Sequence, residues 1–206
     1  VSAGSTRTRL RPPARPADPF AGERLLRFRH LTPADGLSQL DVNAIFQDSL
    51  GFMWFGTEDG LNRFDGGHIA VFRSAAFDTA SLRSPWVVEL VGDGGAGLWV
   101  ATANGGLSRY DARTRAFAAA PVGGEQPLGN DLFSMIESRE GTLWLGTRYD
   151  GLYHYTPGTG RVEHLEIVSD DGETPVRVRI DALAEDLEGR IWVATHGRGL
   201  SRYDPA

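Results

Sequence analysis

Four apolar segments, 52–55, 98–101, 143–146 and 191–194, recur along this chain, and none of them alternates apolar with polar residues. A strand that is apolar at successive positions has both faces covered, whereas a strand with one wet face alternates. Each segment leads into a Gly-bearing turn and a second short stretch ending in aromatic residues, the pattern of a β-hairpin. Another strand is predicted before each hairpin, over 42–48, 87–93, 132–138 and 179–186. A more polar one is predicted after it, over 68–74, 115–119 and 161–168. Trp54, Trp99, Trp144 and Trp192, one per segment, stand 45, 45 and 48 residues apart. Four antiparallel strands in a fixed period of about 45 residues make one propeller blade. The expected fold class is therefore all-β, a β-propeller of about four blades of four antiparallel strands.

Blades stack face to face, so the recurring tryptophans are read as interblade packing; an aromatic of this size buries roughly 150–250 Å². The small residue two positions on (Gly56, Ala101, Gly146, Ala194) leaves room for the neighbouring sheet. Taken in order, the chain divides into an Arg/Pro-rich linker over 1–23, a closing strand over 24–31, and blades over 32–76, 77–121 and 122–168. The fourth blade, 169–206, lacks its last strand. The strand over 25–31 could complete it, since pairing the N-terminal strand with the last blade removes an open edge. The alternative, favoured because the chain starts with Val and stops abruptly, is an arc of a larger propeller of the seven-bladed type. Such an arc would expose the apolar faces of its first and last blades.

The residues Gly36, Leu37, Ser38, Asp48, Gly51, Trp54, Gly56, Thr57, Gly60, Leu61, Phe64 and Asp65 follow one another in a pattern that resembles the two-component regulator propeller repeat. Later copies match less fully, with Ser138 in place of the Asp before the turn and Thr156 in place of the Asp after Tyr155. The resemblance implies an extracytoplasmic sensor propeller of a hybrid histidine kinase or diguanylate cyclase, periplasmic and held to the membrane only through later segments that this sequence does not contain. It also leans toward an oligosaccharide ligand, and allows for a homodimer in the full-length receptor. Two other classes remain open: a propeller enzyme acting on glycans, such as a glycoside hydrolase or lyase, and a stand-alone protein-interaction propeller.

Charge and composition narrow the partners. All 21 basic residues are arginine against 27 acidic ones, a net charge of −6 that repels phosphate backbones and argues against nucleic acid. There is no cysteine, so neither a disulfide framework nor a thiolate metal site is expected, and no apolar run is long enough to span a bilayer. No catalytic residue, metal ligand set or cofactor motif is identified. Asp170 and Asp171 sit in an Asp-Asp-Gly turn, where such residues serve the backbone. Among the five histidines, His154 and His164 are read as possible cross-strand neighbours.

Because strands run alternately up and down, the loops between second and third strands share one end of the blades with the interblade connections. Loops on a rigid scaffold are where binding usually resides. The hairpin tips therefore supply the candidate ligand-binding residues: Glu58, Asp59, Asn104, Arg148, Tyr149, Asp150, His196 and Arg198. A small molecule or oligosaccharide is the expected ligand. As an exposed tip residue, Arg148 replaced by Ala should cost under about 0.5 kcal/mol.

Overall fold

The computed structural model describes residues 28–120, 130–168 and 174–204. The linker over 1–23 lies outside them, and of the expected closing strand only 28–31 are described, none in a strand. The chain divides into two units, Val1–His30 and Leu31–Ala206; the second carries the fold. It opens with one 3-10 turn, Pro33–Asp35, and continues entirely in strands and turns among the described residues.

Blade 1 consists of β1 (Val42–Gln47), β2 (Met53–Thr57), β3 (Gly60–Phe64) and β4 (Ile69–Phe72). Blade 2 follows as β5 (Val87–Gly92), β6 (Leu98–Thr102), β7 (Gly106–Asp111) and β8 (Ala116–Ala119). Blade 3 is β9 (Leu132–Glu137), β10 (Leu143–Thr147), β11 (Leu152–Thr156) and β12 (Arg161–Leu165), and blade 4 is β13 (Ile180–Glu185), β14 (Ile191–Thr195) and β15 (Gly199–Tyr203). In every sheet the spatial order is the chain order and all pairings are antiparallel. The strands fall where the apolar pattern puts them, shorter by a residue or more at some ends. First strands of successive blades contact one another, β1 with β5, β5 with β9 and β9 with β13, so the blades stack in sequence.

Each part of the repeated motif has a mechanical role. The small residue after Trp lets the next blade approach: a Cβ on Gly56 would lie 2.6 Å from Val87 Cγ1, and one on Gly146 would lie 2.6 Å from Ile180 Cγ2. The following Thr closes the hairpin, its hydroxyl donating to the carbonyl of the Gly that opens the third strand, as in Thr102 to Gly106 (3.0 Å) and Thr147 to Gly151 (2.9 Å). That Gly takes positive φ, 120° at Gly60 and 72° at Gly151, which a side chain would strain.

The core is three seams rather than one centre. Buried apolar residues cluster between blades 1 and 2, 2 and 3, and 3 and 4. Each seam is pinned by the Trp of one blade against the Tyr ending the third strand of the next: Trp54 with Tyr110 (5.0 Å between centroids), Trp99 with Tyr155 (5.7 Å) and Trp144 with Tyr203 (5.4 Å). The outward faces of the first and last blades are bare. Ile45 is 65% exposed where its equivalent Leu90 is 4%, and Leu200 is 62% exposed where Leu61 is fully buried. These two faces therefore do not cover each other.

One expected pairing is overturned. His164 lies opposite Tyr153, and His154 lies opposite Glu163. Side chains alternate across a strand, so the two histidines sit on opposite faces of blade 3 and cannot share a ligand.

Candidate functional site

The hairpin tips and interblade connections do share one end of the blades, and backbone hydrogen bonds tie them together. The amide of Gly60 donates to Pro85 O (2.8 Å), Gly106 to Asn130 O (3.0 Å), Arg148 to Asp131 O (3.1 Å) and His196 to Arg179 O (2.8 Å). At this same end every first strand carries a β-bulge, because two residues oppose one on the second strand. The extra residues are Asn43, Val88, Phe133 and Asp181, and a bulge re-aims the side chain it frees.

Around blades 2 to 4 these positions assemble a ladder of arginines and rings. Arg148, from the blade 3 tip, sits 5.8 Å from the ring centroid of Trp86 and 5.4 Å from that of Phe133. Arg179 lies 4.5 Å from the same ring centroid of Phe133 and donates from Nη2 to His196 Nδ1 at 2.9 Å. Asp181 Oδ2 lies 3.4 Å from the same nitrogen. Asp131 pairs with Arg148 at 3.2 Å through Oδ2, while its Oδ1 is buried without a hydrogen-bond partner among the described residues. Asp181 accepts from Arg179 Nε at 2.5 Å, and that hydrogen bond holds its carboxyl below the usual range. The ladder thus offers two guanidiniums, an imidazole, aromatic rings and one carboxylate oxygen left unsatisfied among the described residues.

Of the eight tip residues, the structure brings Arg148 and His196 into this ladder and leaves the others apart. Asp59 pairs with Arg73 (3.1 Å) at the edge of blade 1, and Glu58 is exposed beside it. Asn104 takes φ 63°, a turn-forming conformation. Tyr149 and Asp150 line a separate cavity of about 180 Å³ with His164 and Arg177; Asp150 accepts from the Tyr153 hydroxyl at 2.5 Å. Arg198 borders another, of about 210 Å³, among Ile167, Val176 and Val178. The low stability cost expected for Arg148→Ala is also corrected. Its side chain is half-buried in an ion pair and between two rings, so the loss should be about 1 kcal/mol, readable by urea denaturation. Trp86, Asp131, Phe133, Arg179 and Asp181 were not among the predicted residues. Lining up the residue before each first strand, Asp41, Trp86, Asp131 and Arg179, would have flagged Trp86, Asp131 and Arg179 as variable positions at one end of the repeat, but not Phe133 or Asp181.

Fold and site together define a β-propeller segment with a polar, aromatic-lined end and no group of ligands suited to a metal ion among the described residues. Residues 36–59 match the family model described as two component regulator propeller, so the chain carries that repeat in its first blade. A stretch of 55 residues, 27% of this chain, is 47% identical to Histidine kinase P4 of Formosa agariphila, of which it covers 4%. Two solved structures of an extracellular domain from B. thetaiotaomicron are similar in fold at 24% identity over 80% of this chain. One is of a putative one component system (TM-score 0.65) and one of a putative hybrid two component system (TM-score 0.63). The chain spans about a quarter of each, 24%.

Proposed function

We propose that this chain is a non-catalytic sensing segment from the extracytoplasmic, periplasmic part of a bacterial two-component or cyclic-di-GMP receptor, binding a small molecule or oligosaccharide at the Arg148–Phe133–Arg179 ladder. The observation that carries this reading is the two component regulator propeller match over the hairpin that the other blades repeat. Extracellular domains of signalling proteins among the fold neighbours support it. The ladder suits recognition without turnover: guanidiniums, imidazole and ring edges bind and orient, while its two carboxylates are engaged by arginines. Homodimerisation belongs to the same reading of the full-length receptor. The test is thermal-shift screening against mono- and oligosaccharides and small organic acids. A ligand that raises Tm should lose its effect in Arg179→Ala and Phe133→Ala, and chemical conversion of the ligand during incubation would overturn the non-catalytic assignment.

A further inference from the structure

Blade 3 departs from its siblings at two positions that face each other at the opposite end of the blades. In blades 1 and 4 an Asp before the turn accepts from the indole of the repeat Trp, Asp48 from Trp54 Nε1 and Asp186 from Trp192 Nε1, both at 2.8 Å. The same carboxylates accept amides two and four residues on. In blade 2 Asp93 keeps the two amide bonds but turns Oδ2 to Arg109. Blade 3 has neither the carboxylate nor the arginine. Ser138 replaces the Asp, and His154 takes the place across from Trp that Arg63, Arg109 and Arg202 hold in the other blades.

His154 lies flat on Trp144 (4.3 Å between centroids, 16°) and bonds Thr142 Oγ1 through Nε2 at 2.8 Å, while Thr142 Oγ1 meets Ser138 Oγ at 2.8 Å. These short side chains leave a cavity of about 300 Å³ across the seam with blade 4, closed on the far side by Glu185, Glu188 and Ile191. Trp144 is only 4% exposed, and its Nε1–H has no hydrogen-bond partner among the described residues. Because the equivalent N–H in blades 1 and 4 reaches the position Ser138 occupies, and Ser138 and Trp144 both line the cavity, this donor is directed into it.

We propose that this seam cavity is a binding site for a neutral, polyhydroxylated molecule of monosaccharide size. The indole donor requires an acceptor, which excludes a simple ammonium. Three carboxylates line the cavity, Glu140, Glu185 and Glu188; Glu185 is paired with Arg139 and Glu188 with Arg190, so the lining keeps a net negative charge that disfavours a carboxylate or phosphate. A hydroxyl meets both demands, accepting from Trp144 Nε1 and donating to a glutamate, and 300 Å³ stands at the lower end of small-molecule pockets.

The indole cross-peaks of a ¹H–¹⁵N spectrum test this, since the chain has only five tryptophans and Trp144→Phe assigns the one that matters. Titration with glycerol, glucose and inositol should move the Trp144 indole peak saturably with at least one of them. The Trp54 peak, held by Asp48, should stay in place. Acetate and methylammonium should leave Trp144 unmoved. Ser138→Asp, or Ser138→Asn should the first not fold, supplies an internal acceptor and should abolish the response. A Trp144 peak that no polyol moves saturably, that acetate or methylammonium moves instead, or that still responds in the folded Ser138 variant would overturn the assignment.

Discussion

Asp93 and Asp186 show how single residues hold the turns of this propeller. Burial opposes their ionisation, but hydrogen bonds outweigh it: from Arg109 and two amides at Asp93, and from Trp192, Arg190 and two amides at Asp186. Both carboxyls therefore titrate below the ordinary value of about 4. A carboxyl depressed in the folded state contributes stability that is complete above the unfolded pKa and lost as pH falls through the folded one. The urea midpoint should thus hold from pH 7 to about 5 and fall below about 4, with a shallower fall in Asp93→Asn and Asp186→Asn; unchanged slopes would refute the role given to these groups. Tyr110 presents the opposite case, since its hydroxyl is buried without a partner among the described residues and Phe64 fills the equivalent place in blade 1. Tyr110→Phe removes an unpaired buried polar group and keeps the ring against Trp54, so stability should be unchanged or rise by up to about 1 kcal/mol. A loss of more than that would reveal a hydrogen bond the geometry does not contain.

At the level of the element, the hairpin that carries Trp, the small residue and Thr serves two sheets at once. Trp144 is buried against His154 in its own blade and Tyr203 in the next, whereas Trp192 is half-exposed because no blade covers its far face. Trp144→Ala should cost about 3–5 kcal/mol, and Trp192→Ala less than half of that, by chemical denaturation. Equal losses would mean that the tryptophans act within their own blades rather than between them.

Across the whole molecule, stability should grade from the inner blades outward. All five residues of β6 and of β10 are buried, while all five of β15 are exposed and its outer edge carries no fourth strand in the sheet. Local opening follows burial and edge pairing. Amides of β6 and β10 are therefore expected to exchange near the global unfolding rate and those of β15 orders of magnitude faster; uniform protection would show a covered last blade.

The strand order, the blade period and the interblade role of the tryptophans could be read from the chain itself, because each depends on spacing and on residues that must be apolar on both faces. Gly56, Thr57 and Gly60 were legible for the same reason, as backbone geometry selects their types. The functional end was legible only in outline. Arg148 and His196 could be picked from the hairpin tips, but Trp86, Phe133 and Arg179 reach them from different blades, and only stacking sets the distances between those blades. The bulge that frees Phe133 and Asp181 leaves no mark in the hydrophobic pattern, since one unpaired residue in six preserves the apolar run. Ser138 and His154 are 16 residues apart in sequence, and each alone reads as a blemish in the repeat. Only the folded sheet, which puts both beside Trp144 and across from Glu185, turns the two departures into one cavity.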